Sequence, residues 1–254
     1  MTFSIVIPAR YASTRLPGKV LLDIAGKPMI QWVHDHATGS GAERVVVATD
    51  DERVAERVRG FGGQALMTAG AHRSGTERIA EVIERLRIPA DAIVVNVQGD
   101  EPLMPPSLMR QVAQNLHEHP ECVCATLREP IETNETLLDP NAVKVVTDQA
   151  GIALYFTRAT VPWYREAFRA PPETRAPQPL HHRHIGLYAY RAGYVLGYVA
   201  MPPSPLEEAE SLEQLRILWA GDRIHVASAQ EPPGPGVDTE ADLARARRLA
   251  GGGS

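Results

Sequence analysis

The run from Ala92 to Val97 constrains the fold of this chain more than any other segment. Nearly all of its residues are apolar, which is the pattern of a strand that is buried on both faces of a parallel sheet. Short β-rich runs at Phe3–Pro8 and Arg44–Thr49 precede it, and helical patterns separate these runs. Strands that alternate with helices predict a mainly parallel α/β sheet. Ligands of such sheets bind beyond the carboxyl ends of the strands.

The second half of the chain has a different pattern. Two β-rich runs, Ala142–Thr147 and Ile152–Phe156, predict a hairpin, and the segment Ala170–Pro179 contains four prolines and predicts an exposed loop. His184–Arg191 predicts a strand. The run Leu206–Trp219 predicts one amphipathic helix, because its apolar residues recur at helical spacing.

Length and composition agree with one α/β domain that carries an insertion. The chain has 254 residues, of which 44% are hydrophobic. We predict a Rossmann-like sheet flanked by helices, formed by residues 1–129 and 206–250, with a smaller inserted α+β region at 130–205. The two cysteines, Cys122 and Cys124, have no second Cys/His pair nearby, and are interpreted as reduced core residues.

The charge and hydropathy of the chain exclude several functional classes. The net charge of −5 argues against general binding to nucleic acid or to an anionic membrane. No signal-peptide pattern opens the sequence, and no apolar run approaches the roughly 18 residues of a membrane span. We therefore expect a soluble cytoplasmic protein.

The loop that follows the first strand is the strongest candidate binding site. It carries Arg10, Arg15 and Lys19 with Gly18 between them, a cationic cluster in an acidic chain. Backbone N–H groups in a turn form an anion nest, and the cations neutralise phosphate oxygens. The loop has neither the Walker A nor the G-x-G-x-x-G pattern. A solvated surface loop is the alternative, but the position directly after a strand favours a triphosphate site.

Two aspartates are candidate ligands of Mg²⁺. Asp100 follows the buried strand within Gln98–Pro102, and Asp238 precedes the predicted last helix. Magnesium usually takes only one or two protein carboxylates and leaves its other positions to substrate and water. Each aspartate is alternatively a helix N-cap. The sequence does not show whether the two lie together.

Ten stretches of the chain, which together extend over nearly all of it, resemble the bacterial 3-deoxy-manno-octulosonate cytidylyltransferases, or CMP-Kdo synthetases. In chain order they are IPARYASTRLPGK, GKPMI, VVVATDD, SGTERIAE, VNVQGDEP, PNAVKVV, LYFTRATVPW, RHIGLYAYR, SPLEEAESLEQLR and GVDTEADL. The resemblance implies a reaction in which the anomeric hydroxyl of 3-deoxy-manno-octulosonate (Kdo) attacks the α-phosphorus of CTP. Pyrophosphate leaves, and CMP-Kdo feeds lipopolysaccharide biosynthesis. A Mg²⁺ cofactor, a homodimer and a sugar-binding, dimerising insertion are also implied.

The resemblance also implies roles for individual residues. The catalytic residues are Arg10, Arg15, Lys19 and Asp100, and the metal ligands are Asp100 and Asp238. The nucleotide contacts are Pro8, Ser13, Ser74, Arg78 and Gln98. The contacts to the sugar acid are Arg158, His184, Tyr188, Glu213 and Gln214.

Structural alternatives exist for several of these residues. Ser74 begins the pattern Ser-x-x-Glu, which predicts a capping box. Arg78 is alternatively a solvated helix residue. Glu213 and Gln214 alternatively form the rim of a packed helix.

Two other functions remain open at this point. A CMP-sialic acid synthetase, or a transferase for an amino-substituted Kdo, needs the same CTP site and a different acceptor pocket. A non-catalytic nucleotide-binding regulator of the same fold is the third interpretation. It predicts that the metal carboxylates or phosphate cations are lost, whereas Arg10, Lys19, Asp100 and Asp238 are all present.

Overall fold

A mostly parallel sheet of nine strands forms the centre of the molecule. The structure is a computed structural model, and it describes residues 1–12 and 16–252. The strands in this part of the chain are β1 (Phe3–Pro8), β2 (Asp23–Ile24), β3 (Lys27–Pro28), β4 (Arg44–Thr49), β5 (Gln64–Met67), β6 (Ile93–Asn96), β7 (Cys124–Pro130), β8 (Lys144–Thr147), β9 (Ala153–Thr157), β10 (His182–Arg191) and β11 (Ile224–Ser228). The α-helices are α1 (Met29–Gly39), α2 (Glu52–Gly60), α3 (Gly75–Leu86), α4 (Pro106–Glu118), α5 (Asn134–Leu138), α6 (Ala192–Ala200), α7 (Pro205–Glu210), α8 (Gln214–Trp219) and α9 (Glu240–Ala250).

The strand order is β11-β7-β10-β6-β1-β4-β5; β8 pairs with β10, and β9 pairs with β8. Strands β1, β4, β5 and β6 run parallel to one another, and β10 runs antiparallel to both of its neighbours, β6 and β7. The predicted fold class, a mainly parallel α/β sheet flanked by helices, is confirmed. The carboxyl ends of β1, β4 and β6 therefore lie side by side.

The hydrophobic core consists of two layers, one on each face of the sheet, because helices cover both faces. On β1, Ile5 and Ile7 belong to the hydrophobic cluster that includes α1 and α4, whereas Val6 belongs to the cluster that includes α3 and α6. All three side chains are fully buried. This burial explains the continuous apolar runs in the sequence. Cys122 and Cys124 are free and buried, as expected.

The structure revises the organisation expected for the second half. Strand β10 and helix α6 fall inside the predicted insertion at 130–205, yet β10 occupies the middle of the main sheet and α6 packs against α3. The segment that leaves the main sheet is therefore shorter than predicted. Strand pairing between β6 and β10 joins residues about ninety positions apart, which a local sequence pattern does not reveal.

The single helix predicted at Leu206–Trp219 is wrong. The structure has two short helices, α7 and α8, separated at Ser211, whose φ of 51° is left-handed. The helical spacing of apolar residues continues across such a break, so the sequence pattern did not reveal it. Trp219, the last residue of the predicted helix, is 59% exposed.

The hairpin of the second half is confirmed, with β8 and β9 antiparallel. The proline-rich segment is a largely exposed loop with a short 3₁₀ turn at Pro172–Thr174, also as predicted. In the described residues, no helix is long and apolar enough to cross a membrane.

Candidate active site

A cleft of about 800 Å³ opens at the carboxyl ends of β1 and β6. The loop after β1, the first turn of α3 and the segment after β6 form its walls. The residues that line it are Pro8, Arg10, Tyr11, Ala12, Pro17, Lys19, Val20, Ser74, Gly75, Arg78, Gln98, Gly99, Asp100 and Asp238. The structure thus brings together eight of the predicted nucleotide, catalytic and metal residues: Pro8, Arg10, Lys19, Ser74, Arg78, Gln98, Asp100 and Asp238. The other two, Ser13 and Arg15, lie outside the described residues.

The loop after β1 folds back on itself through Gly18. The Gly18 N–H donates to the carbonyl of Tyr11 at 3.0 Å, and the φ of Gly18 is +68°. A Cβ at this position would lie 3.0 Å from the Tyr11 ring. Glycine is therefore required for both its conformation and its size. The turn leads directly into Lys19, whose side chain is 12% exposed.

Lys19 brings two distant aspartates together. Its Nζ donates to Oδ2 of Asp100 at 2.5 Å, to Oδ1 of Asp238 at 2.9 Å and to the Val237 carbonyl at 3.2 Å. Burial lowers the pKa of Lys19, but Asp100 and Asp238 more than compensate, so the pKa is raised. The Val237 N–H donates to the Asp100 carbonyl at 2.9 Å, which fixes the backbone of the two segments side by side. One ammonium thus bridges two carboxylates.

Asp100 and Asp238 fit the chemistry of a magnesium site. Carboxylate oxygens are the ligands Mg²⁺ prefers, and two carboxylates leave its other positions for phosphate oxygens and water. Within residues 1–12 and 16–252, no group of three or more His, Cys, Asp or Glu is arranged to hold a metal by itself. The cap of α9 is Thr239 rather than Asp238, so Asp238 is not used as the N-cap.

Glu101, next to Asp100, was not identified from the sequence. Burial and the neighbouring charge of Asp100 raise its pKa to about 8. A Cβ at Gly236 would lie 2.9 Å from its Oε1, so Glu101 packs closely against the segment that carries Asp238. A third carboxyl group, whose ionisation is disfavoured by burial, therefore lies beside the two aspartates.

Arg78 is not a solvated helix residue, which was one alternative for it. Its side chain is 1% exposed, Nη2 donates to Oδ2 of Asp50 at 3.0 Å, and Nη1 donates to the Thr68 hydroxyl. A buried guanidinium needs a paired anion, and Asp50, at the end of β4, supplies it. Asp50 and Thr68 were missed from the sequence, although Asp50 lies where the pattern places a strand end.

Removal of the Asp50 charge leaves the buried Arg78 unpaired. We expect Asp50→Asn to lower the free energy of unfolding by about 2–3 kcal/mol, since breaking a buried ion pair strands a charge. Urea titration measures this. The control is Glu52→Gln, because Glu52 pairs with Arg59 and both side chains are about half exposed. Its expected effect is below about 0.5 kcal/mol. Equal stability of Asp50→Asn and wild type would contradict the assignment of Asp50 as the anion that pairs with the buried Arg78.

Ser74 and Gln98 both line the cleft, and Gln98 also lines a second pocket. The Ser74 hydroxyl accepts from the Glu77 N–H at 3.3 Å and so caps α3. The Glu77 carboxylate accepts from the Arg73 N–H instead of the Ser74 N–H, so the predicted capping box is only half formed. The Gln98 amide lies 3.4 Å from Oδ1 of Asn96.

The second pocket has a volume of about 200 Å³ and shares Gly75 and Gln98 with the cleft. Its lining consists of Gly75, Thr76, Asn96, Gln98, Tyr188, Tyr190, Tyr198, Ser211, Leu212, Glu213, Gln214 and Ile217. Burial raises the pKa of Glu213, although the Thr76 hydroxyl, which donates to it at 3.0 Å, acts in the opposite direction. Three of the five predicted sugar contacts, Tyr188, Glu213 and Gln214, therefore lie together. Asn96, Tyr190 and Tyr198 were missed.

His184 and Arg158 do not line this pocket. Nε2 of His184 lies 2.9 Å from the Thr126 hydroxyl, and burial lowers the pKa of His184 to about 3, so the ring is neutral. Its ring is 5.2 Å from that of Tyr188, which makes it a support for a lining residue. The Arg158 guanidinium donates to the backbone carbonyls of Pro140, Glu210 and Ser211.

Comparison with known proteins gives one consistent result. A family model described as Cytidylyltransferase matches residues 4–224. The chain is 58% identical to a 3-deoxy-manno-octulosonate cytidylyltransferase of Idiomarina loihiensis over 253 residues, 100% of each chain. It is 61% identical to the Pseudomonas fluorescens protein of the same name, over 97% of each chain.

Solved structures agree with this result. One neighbour is a CMP:2-keto-3-deoxy-manno-octonic acid synthetase complexed with CTP, with a TM-score of 0.89 and 43% identity over 99% of both chains. A cytidylyltransferase from Leptospira borgpetersenii has a TM-score of 0.59 at 15% identity, covering 95% of this chain and 83% of its own. The second likeness concerns the fold alone.

Proposed function

The chain belongs to the cytidylyltransferase family, and from this premise we infer that it transfers CMP from CTP to the anomeric hydroxyl of Kdo. Pyrophosphate is the second product, and CMP-Kdo serves lipopolysaccharide biosynthesis. The observation that carries the proposal is the convergence of Lys19, Asp100 and Asp238 in a cleft that shares a wall with a polar second pocket. The cleft takes the nucleotide, and the second pocket takes the sugar acid.

The nucleotide side combines a cationic loop with a guanidinium that is fixed by hydrogen bonds on α3. Lys19 and Arg10 line the cleft where the triphosphate is expected, and Arg78 is held from two sides by Asp50 and Thr68. Gln98 has both an amide donor and an amide acceptor, which suits the edge of cytosine. The cations bind the non-bridging oxygens and stabilise the charge that grows on the departing pyrophosphate.

Magnesium is part of the proposal as the cofactor, with Asp100 and Asp238 as its ligands. When bound, it supplies positive charge to the phosphates and lowers the pKa of a hydroxyl that it contacts. The protein's own contribution is to hold the two carboxylates at one point, with the Lys19 ammonium between them. Lys19 would compete with a cation for these carboxylates, and its ammonium would also be available to the phosphate oxygens of the substrate.

The sugar side carries hydroxyl-binding groups rather than cations. Tyr188, Glu213 and Gln214 offer hydroxyl, carboxylate and amide groups to the sugar hydroxyls. Gln98 and Gly75 line both cavities. The acceptor hydroxyl and the α-phosphorus therefore meet at this shared wall, where positioning lowers the barrier to in-line displacement.

Turnover with defined acceptors tests the proposed function. Purified protein with CTP and Mg²⁺ is given Kdo, an amino-substituted Kdo or a sialic acid, and pyrophosphate release is measured. We expect release with Kdo that exceeds release with either alternative. Release with another acid and none with Kdo would overturn the acceptor assignment. No release with any acid, from protein that binds CTP, would support the non-catalytic regulator instead.

The Gln98 amide is expected to read the base. Replacement by leucine removes one donor and one acceptor, so kcat/KM for CTP should fall by about 10- to 100-fold and the preference for CTP over UTP should narrow. Steady-state kinetics with both nucleotides measures this. Gln114→Leu is the control, because Gln114 bonds only to the exposed Glu118 on α4 among the contacts described. If Gln98→Leu had the same ratio of kcat/KM for CTP to kcat/KM for UTP as wild type, Gln98 would not be the residue that reads the base.

Predictions about the loop residues, the oligomeric state and the location also belong to the proposal. Arg15 remains a predicted catalytic cation of the loop after β1, and Ser13 remains a nucleotide contact implied by the family resemblance. A homodimer and a cytoplasmic location, both expected from the sequence, also remain proposals. Equilibrium sedimentation tests the dimer, since a particle of 27.7 kDa would contradict it.

A further inference from the structure

We propose that Tyr11 and Arg53 form a clamp at the base of the cationic loop after β1. In this clamp, Arg53 is a positioning residue for CTP, which acts through the Tyr11 ring and does not touch the nucleotide. The inference rests on the proposed function, because it concerns the loop assigned to the triphosphate. Neither residue is among the site residues predicted from the sequence.

The Tyr11 ring is part of the base of this loop. The Tyr11 carbonyl accepts from the Gly18 N–H at 3.0 Å, and the ring lies so close to Gly18 that a Cβ there would be 3.0 Å from it. Lys19 follows directly and contacts Asp100 at 2.5 Å. A shift of the Tyr11 ring would therefore also displace the turn that carries Lys19, the cation expected to bind the triphosphate.

Arg53 holds the Tyr11 ring from the first turn of α2. Its guanidinium carbon lies 3.5 Å from the centre of the ring, well within the roughly 6 Å of a cation–π contact. The planar guanidinium of arginine is suited to stacking on an aromatic face. The ring is therefore fixed by a contact from outside the loop as well as by the loop itself.

The guanidinium of Arg53 is in turn fixed to the main sheet. Its Nε donates to Oδ1 of Asp51 at 2.9 Å, and Nη2 donates to Oδ2 at 2.6 Å, so the pair is bidentate. Asp51 is also the N-cap of α2, and its N–H donates to the Thr49 hydroxyl at 3.2 Å. Thr49 is fully buried at the end of β4. A continuous set of contacts thus joins β4 to the Tyr11 ring.

The same contacts make a direct role of Arg53 in phosphate binding unfavourable. Two of its nitrogens are engaged by a carboxylate, and the guanidinium is stacked on Tyr11. Among the described residues, Tyr11 lines the cleft and Arg53 does not. The Arg53 side chain is 60% exposed, and an exposed ion pair adds little to stability. We expect its benefit in CTP binding, because a loop that is already fixed loses less conformational freedom on binding.

Arg53→Met, introduced into three backgrounds, tests the clamp. In the wild-type chain it should raise KM for CTP by about 3- to 10-fold, with kcat and KM for Kdo within about twofold. In a Tyr11→Phe background the same factor should remain, because the ring is kept. In a Tyr11→Leu background the factor should disappear, because no ring is left for Arg53 to hold.

Two kinetic results would overturn the inference. The first is an equal rise of KM for CTP in the Tyr11→Leu background, which would show that Arg53 acts on the nucleotide without Tyr11. The second is a KM for CTP that Arg53→Met leaves unchanged in the wild-type chain. Each comparison is made within one background, so any contribution of Tyr11 itself to CTP binding cancels.

Amide exchange measured by NMR tests the clamp in the substrate-free protein. The Gly18 N–H should exchange faster in Arg53→Met than in wild type, because its bond to the Tyr11 carbonyl loses the support of the stacked guanidinium. Unchanged exchange of this amide would show that Arg53 does not fix the base of the loop.

Arg59→Met is the matched control, because Arg59 lies on the same helix, is 50% exposed and pairs with Glu52. It should match wild type in both measurements. Failure of the proposed function is recognised separately. Wild-type protein that does not turn over CTP with Kdo would refute that function, whereas exchange of the Gly18 amide without substrate still decides the role of Arg53.

Discussion

We expect replacement of Asp100 by asparagine to lower kcat by about 10²–10³-fold and to leave the protein folded. The substitution keeps the size of the side chain but removes the charge that Lys19 contacts at 2.5 Å and that the proposed magnesium site requires. The side chain is 32% exposed, so the effect on stability is expected to be small. Pyrophosphate release under saturating CTP, Kdo and Mg²⁺ measures the loss.

Asp91→Asn is the matched control, since Asp91 is exposed at the opposite edge of the sheet, before β6. It should retain the kcat of wild type. Thermal unfolding of both variants verifies that the fold is intact. Asp100→Asn with a kcat within about threefold of wild type would remove the role of Asp100 in catalysis.

Replacement of Lys19 by methionine has two opposite effects. It should lower kcat/KM for CTP by about 10²–10³-fold, because a phosphate-binding cation is lost. In the protein without nucleotide, it should strengthen Mg²⁺ binding by about 10-fold. Without the bridging ammonium, Asp100 and Asp238 repel each other, and a bound cation relieves this repulsion. Calorimetric titration with MgCl₂ measures the second effect.

Lys27→Met is the control for this experiment. Lys27 is 46% exposed and pairs with Asp35 at 2.8 Å, away from the cleft residues. Neither its kinetics nor its Mg²⁺ binding should change. If Lys19→Met bound Mg²⁺ no better than wild type, Asp100 and Asp238 would not be the metal ligands that we propose.

The fold was predictable where the signal is local. Apolar runs such as Ala92–Val97 follow from burial on both faces of the sheet, so β1, β4 and β6 were evident in the sequence. The position of β10 was not, because its pairing with β6 and β7 depends on residues far apart in the chain. The break at Ser211 was missed because one left-handed residue leaves the hydrophobic period intact.

The site was predictable by a similar rule. Residues after strand ends, such as Arg10 and Asp100, were identified because the ends of parallel strands meet at one edge. The bridge from Lys19 to Asp238 spans 219 positions, and only the folded chain shows it. The bonds from the Arg158 guanidinium to the carbonyls of Pro140, Glu210 and Ser211 also join distant segments, so the sequence does not reveal them.

Phosphorus NMR of the reaction mixture tests the central claim most directly. With CTP, Kdo and Mg²⁺, the account predicts that the α-phosphorus signal of CTP is replaced by that of a phosphodiester, CMP-Kdo, together with an equal amount of pyrophosphate. Omission of Kdo should leave CTP unchanged. Conversion of CTP to the phosphomonoester CMP, or consumption of CTP at the same rate without Kdo, would contradict the transfer of CMP to the sugar acid.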